Sequence, residues 1–175
     1  MTEDVIRLHI GGKEAKNGWK ILNIQPGPHV DYVGTCVNLE QFSDSSVDEI
    51  YASHVLEHLG FRHELPTALR GFWRILNPGG VLKISVPDFE RLCAMFAHPS
   101  MPRDQKFSVM MHMFGAQADE HDFHKVGLTW DFLAQFLKQA GFDNVKRVEE
   151  FCLFNDFSSF RRFGALISLN VEARK

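Results

Sequence analysis

Apolar residues in this chain recur with two periods, and the switches between them mark out the elements. Short, nearly continuous apolar runs bounded by Gly or Pro predict buried strands at Val5 to Ile10, Trp19 to Ile24, His29 to Val33, Val47 to Ala52 and Val81 to Val86. Two later runs, Val145 to Phe151 and Gly164 to Ala173, read as closing strands. Helical spacing links Leu65, Leu69, Phe72, Trp73 and Leu76. A second helix is expected from near Asp88, with Phe89, Leu92, Cys93 and Phe96 on one face, broken at His98-Pro99-Ser100-Met101-Pro102. A third covers Arg103 to Phe114, with Met110, Met111 and Met113 on one side. Trp130 to Ala140 is the fourth, with Thr129 as N-cap and Gly141 as C-cap.

The densest signal lies between Asp44 and Asp88. Two apolar strands flank a helix there, a β-α-β unit that belongs to a parallel sheet and crosses over right-handed. Alternation of strands and helices along the chain gives an α/β class with a mostly parallel sheet. In the last strand, Leu166, Ser168 and Asn170 alternate with Ile167, Leu169 and Val171, as a late antiparallel strand would. One feature departs from the usual pattern. Only six residues separate Gly12 from Trp19, whereas a parallel crossover normally takes a dozen or more. The second and third strands are separated only by a Pro-Gly turn. The N-terminal half is therefore abbreviated, with no room for a first helix.

The joint after the fourth strand reads Ser53-His54-Val55-Leu56-Glu57-His58. It is followed by Leu76-Asn77-Pro78-Gly79-Gly80 and by Val86-Pro87-Asp88. With these motifs the chain resembles the class I S-adenosylmethionine-dependent methyltransferases, specifically the methyltransferase type 11 group. The resemblance implies a Rossmann-like methyltransferase sheet with a late antiparallel strand, and S-adenosylmethionine as cofactor. In such sheets ligands lie at the carboxyl ends of the strands. Gly11 and Gly12, which end the first strand, are expected to hold the methionine part. The family loop carries a second glycine where Lys13 stands here, and a plain turn is the alternative. The family's ribose-binding acid is replaced by Asn23. Thr35 falls where an acid meets the adenine amine, and Cys36, Asn38 and Leu39 continue that run. Ser53 and His54 reach the rim of the site, with His54 beside the cofactor. Glu57 and His58 serve the acceptor or brace the following helix.

Methyl transfer is an in-line displacement at a sulfonium carbon. It needs a general base only when the acceptor must lose a proton. His54, His121, His124 and Asp88 are the catalytic candidates, because imidazole titrates near neutral pH and Asp88 ends a strand. Loop hydrogen bonding and helix capping are the alternative for these groups. His112, His121, Asp122 and His124 match no compact ligand motif, and no CxxC spacing occurs, so no metal is expected.

Composition narrows the functional classes. The formal charge of −3 gives no pull toward nucleic acid or an anionic membrane, and no apolar run is long enough to span one. The acidic N-terminus lacks a signal-peptide pattern. Cys36, Cys93 and Cys152 are scattered, which fits thiols in a reducing cytoplasm. A single domain over 1–175 is expected, with 100–128 and 150–163 as acceptor-side or lid insertions. Phe151, Phe154, Phe157, Phe160 and Phe163 cluster late, either as core or as a surface for a partner or self-association. The expected activity is methyl transfer to a small-molecule or glycan-like acceptor. The alternative is a catalytically inactive methyltransferase-like module that serves in binding or assembly.

Overall fold

Seven strands build the main sheet in the computed structural model, which describes residues 5–175. The first four residues of the acidic N-terminal stretch lie outside the described residues. In chain order the strands are β1 (Arg7–Ile10), β2 (Trp19–Asn23), β3 (Tyr32–Val33), β4 (Val47–Ser53), β5 (Leu76–Pro87) and β6 (Asp143–Val148). Two short strands follow, β7 (Arg161–Arg162) and β8 (Ala165–Leu166), and the last is β9 (Ser168–Arg174). The order across the sheet is β3-β2-β1-β4-β5-β9-β6. β9 runs antiparallel to both its neighbours, and the other pairings are parallel. The helices are α1 (Glu64–Ile75), α2 (Phe89–Ala97), α3 (Arg103–Phe114) and α4 (Trp130–Ala140). This is the expected mostly parallel sheet with a late antiparallel strand.

The two faces of the sheet differ in chemistry because successive side chains point to opposite sides. Leu8, Ile10, Ile50, Ala52, Leu82, Ile84, Val86, Leu169, Val171 and Ala173 form one face, all buried. Leu65, Leu69 and Phe72 of α1 and Leu133 and Leu137 of α4 cover it. Each of these larger side chains contributes about 1.5–3 kcal/mol on burial. His9, Tyr51, Ser85 and Asn170 occupy the other face, also buried but polar.

The abbreviated N-terminal half is real. β1 pairs with β2 in parallel register, Arg7 opposite Trp19, and no helix lies between them. The face that such a helix would cover is closed by residues 149–160 instead. Phe154 stacks on Tyr51 with ring centroids 5.4 Å apart, lies 4.0 Å from His9 and meets the edge of Trp19. Lys16 donates to the Leu153 carbonyl and lies over the Phe154 ring. Tyr51 Oη donates to Asp156 Oδ2 at 2.7 Å, and Asn170 Nδ2 donates to the Glu149 and Ser158 carbonyls. Part of the late phenylalanine cluster is thus packing for the sheet. Phe157 and Phe163 stay exposed.

The third, fifth, sixth and last strands depart most from the sequence reading. Only Tyr32–Val33 of the expected His29 to Val33 strand pairs, because Val30 closes a turn onto Gly27 and Asp31 accepts from the Ile21 amide and Lys20. β5 begins at Leu76, ahead of the expected Val81, with a bulge at the Pro-Gly-Gly segment. Gly79 there has φ +79°, which favours glycine. β6 spans Asp143–Val148, not Val145 to Phe151, because the chain turns where Asn170 captures Glu149. The expected Gly164 to Ala173 strand divides: Ala165–Leu166 pairs back on Arg161–Arg162, and only β9 enters the main sheet. Thr129 and Gly141 cap α4 as read from sequence, and Asp88, a catalytic candidate with capping as its alternative, caps α2. Asp88 accepts from the Arg91 amide, Thr129 accepts from the Phe132 amide, and Gly141 is left-handed.

Candidate functional site

A cavity of about 520 Å³ opens at the carboxyl ends of β1 to β4. Gly11 enters it from β1, Asn23 and Ile24 from β2, Gly34, Thr35 and Cys36 from the turn after β3, and His54 and Val55 from β4. The loop 118–125 forms the opposite wall, with Asp119, His121 and Lys125 among its lining residues. This loop is held onto the turn after β4. The Lys125 and Val126 amides donate to the Glu57 carbonyl, and Lys125 Nζ donates to Glu64 Oε2 at 3.1 Å.

Gly11 is where the absence of a side chain matters most. Its φ is +75°, and a Cβ would lie 2.5 Å from Val55 Cγ2. Gly12 faces the other way: a Cβ there would strike the His9 ring at 2.5 Å, so this glycine makes room for His9 and lines a second cavity. Asn23 is 6% exposed. Its Nδ2 donates to the Gly12 carbonyl at 2.9 Å, and its Oδ1 accepts from the Gln25 amide at 2.9 Å. The first bond accounts for an amide here in physical terms, because a carboxylate has no hydrogen to give the carbonyl.

The cavity therefore gathers Gly11, Asn23, Thr35, Cys36, His54 and His121 of the residues picked from sequence. It does not gather the others. Leu39 is buried in the core against α1, and Asn38 turns to accept from the Glu40 amide. Ser53 lies with Gly12 on the second cavity. Asp88 is 3% exposed and accepts from Arg147 Nη2 at 2.9 Å while capping α2, well occupied as a structural group. Cys36 is buried, which pushes its thiol up to about 12, out of the reactive range. Sequence reading missed Ile24, Val55, Leu59, Asp119 and Lys125 as lining residues. Ile24 closes the run read as the second strand, and the structure leaves it one residue past β2 and 49% exposed.

The turn 53–58 is chemically dense. His54 has φ +53°, an uncommon conformation for a side chain of this size. Three contacts hold it: its amide donates to the Ser85 carbonyl at 2.8 Å, Nε2 lies 3.0 Å from Ser168 Oγ, and Nδ1 lies 3.2 Å from Glu57 Oε1. Ser168 Oγ already donates to the Phe157 carbonyl at 2.7 Å, so His54 Nε2 is the donor to Ser168. Glu57 is 1% exposed. Burial raises its pKa, but the charges of His54, His58 and His124 outweigh that, and it falls below the usual carboxylate range. The His58 and His124 rings meet edge to face at 4.9 Å, and burial lowers the pKa of His124. His124 thus belongs with Glu57 and His58, while His121 lines the cavity. The set His112, His121, Asp122 and His124 is not brought together. Among the described residues, one group of three could hold an ion, and it is Glu57, His58 and His124.

The second cavity, about 430 Å³, shares Gly11 and Lys13 with the first and lies under the aromatic cover. His9, Ser53, Phe154, Asp156, Phe157 and Phe160 line it. Among the described residues no helix is long and apolar enough to cross a membrane.

Residues 5–84, just under half of the chain, match the family described as a methyltransferase domain. An S-adenosylmethionine-dependent methyltransferase from Archaeoglobus fulgidus superposes with a TM-score of 0.64 at 16% identity, covering 98% of this chain and 86% of that one. One from Mesorhizobium loti superposes with a TM-score of 0.58 at 18% identity, covering 98% and 90%. No curated protein matches the chain. The chain has the fold of these S-adenosylmethionine-dependent methyltransferases, and its residues 5–84 match a methyltransferase-domain family.

Proposed function

We propose that this chain, a methyltransferase-domain protein of class I fold, binds S-adenosylmethionine at the ends of β1 to β4 and transfers its methyl group to a small-molecule or glycan-like acceptor. The observation that carries this reading is the cavity itself: about 520 Å³, at the switch point of the sheet, with Gly11 bare at its floor. Ile24, Leu59 and Val55 offer apolar walls to an adenine. Gly11 admits the methionine end, and Gln25 and Asp119 stand at the mouth, where ribose hydroxyls need polar partners. The cavity under Phe154 and Phe157 joins at Gly11 and Lys13, which gives the acceptor an approach to the methyl group.

Bound there, S-adenosylmethionine would supply its methyl group to an acceptor lone pair, with sulfur keeping the electron pair of the bond that breaks. The protein's part is to align the two and to exclude water. His121 borders the cavity and is the group placed to take a proton from an acceptor that carries one, whereas His54 lines the cavity with its ring nitrogens turned to Ser168 and Glu57. Asp88 is not used, because Arg147 and the α2 amide occupy its carboxylate.

A second reading, a binding module without catalysis, is favoured by Asn23. Its amide is spent on Gly12 and Gln25, and no carboxylate replaces it at the end of β2. Calorimetric titration with S-adenosylmethionine and S-adenosylhomocysteine, followed by an acceptor screen with labelled methyl groups, separates the two. The enzyme reading requires binding and turnover. Binding without turnover on any acceptor supports the second.

A further inference from the structure

Glu57 is the least expected group in this molecule. It is a carboxylate with 1% exposure, and neither oxygen has an aligned hydrogen-bond donor among the described residues. A buried ionised carboxylate costs several kcal/mol unless something of opposite charge meets it. His54 approaches at 3.2 Å but is also committed to Ser168. On the other side stand two imidazoles from different parts of the chain, His58 on the same turn and His124 on the loop. One donor atom from each of Glu57, His58 and His124 falls within 4.8 Å of the others.

We propose that Glu57, His58 and His124 form a binding site for a divalent first-row transition ion, of the zinc or cobalt type. One carboxylate and two imidazoles are a donor set such ions favour over magnesium or calcium, which take mostly oxygen. The surroundings are those of ligating histidines. His58 Nδ1 lies 3.2 Å from the Phe123 carbonyl, to which it donates, and this leaves Nε2 with its lone pair free. A hydrogen bond from the second ring nitrogen to a backbone carbonyl is the usual way a protein sets the tautomer of a metal-ligating imidazole. The ion meets Glu57 on the side where His58 and His124 stand. It also fastens the loop 118–125 to the turn after β4, adding to the backbone bonds from Lys125 and Val126 to Glu57. His58 lines the large cavity, which gives an ion a route in from solvent. Three protein ligands leave such a position for water or for an acceptor oxygen or nitrogen.

This site does not depend on the cofactor reading, and its test makes no use of activity. Metal-free, tag-free full-length protein is titrated with Co²⁺ and followed by its visible d–d absorption, then by displacement with Zn²⁺. One equivalent is expected to bind, with intensity typical of four- or five-coordinate sites. The ring signals of His58 and His124 are expected to shift on Zn²⁺ addition in proton NMR of the wild-type protein. His58→Ala and His124→Ala, both at partly exposed positions, should each weaken binding by at least about tenfold. Glu57→Gln keeps the shape and removes the charge, and should do the same. The absence of a saturable Co²⁺ signal from folded wild-type protein overturns the proposal. So does binding that His58→Ala and His124→Ala leave unchanged, or a Zn²⁺ titration that moves other histidine signals and not these two.

Discussion

Replacing Phe154 with Ala tests whether the aromatic cover stands in for the missing first helix. Phe154 packs on His9, Trp19 and Tyr51, and it seals His9 to 5% exposure. A fully buried Phe→Ala change costs about 3–5 kcal/mol. Phe154 is only partly buried, so about 2–3 kcal/mol is expected at pH 7.5. The cost should depend on pH in a calculable way. Burial lowers the His9 pKa from 6.5 to about 4, and the charge of Asp156 opposes this only in part. A histidine held neutral in the fold contributes no penalty above pH 6.5. Below it the unfolded chain takes up a proton that the folded protein refuses, and stability is lost down to pH 4. At pH 4.5 that penalty is about 2.5 kcal/mol for the wild type, from about 1.36 kcal/mol per pH unit between the two values. The variant opens His9 to water and escapes most of it. The stability gap between wild type and variant should therefore narrow by about 2 kcal/mol between pH 7.5 and 4.5, other groups cancelling in the difference. Urea unfolding at both pH values measures the gap, and the His9 ring signals in NMR give its pKa directly. A gap that stays constant with pH, or a wild-type His9 that titrates near 6.5, refutes the reasoning.

Asn23→Asp should lower stability by about 1–3 kcal/mol in thermal or urea melts, because a buried carboxylate would face the Gly12 carbonyl with no proton to donate. Gly11→Val should abolish cofactor binding measured by calorimetry, since its Cβ already meets Val55 at 2.5 Å and φ is +75°. Asp88→Ala should cost about 1–3 kcal/mol of stability through the lost cap and the unpaired Arg147, yet leave the cofactor Kd within about twofold. A large loss of cofactor affinity in Asp88→Ala would restore that residue to the site.

How much could be read from the chain depends on whether the deciding contact was local. The β-α-β unit, the caps at Thr129 and Gly141, and the missing first helix follow from spacing alone, and all appear in the structure. The end of β6 and the division of the last strand did not, because both are set by Asn170 and by the β7–β8 pairing, contacts between distant residues. The same split holds for the site. Gly11, Asn23, Thr35 and His54 follow strand ends, so a strand map locates them. Leu39 and Asn38 follow the same logic and yet turn toward core and solvent, because the short segment after β3 bends before reaching them. The partnership of His124 with Glu57, 67 positions apart in the chain, depends on how the loop folds back onto the turn after β4. No periodicity carries that information. The role of Phe154 is legible only once the absent helix leaves a face to be covered.

The most direct test of the central claim is calorimetric titration of the purified protein with S-adenosylmethionine and S-adenosylhomocysteine. The account predicts one site with a micromolar Kd, about −7 to −8 kcal/mol, that Gly11→Val removes. No heat change for either ligand up to about millimolar concentration, from protein shown to be folded, would contradict it.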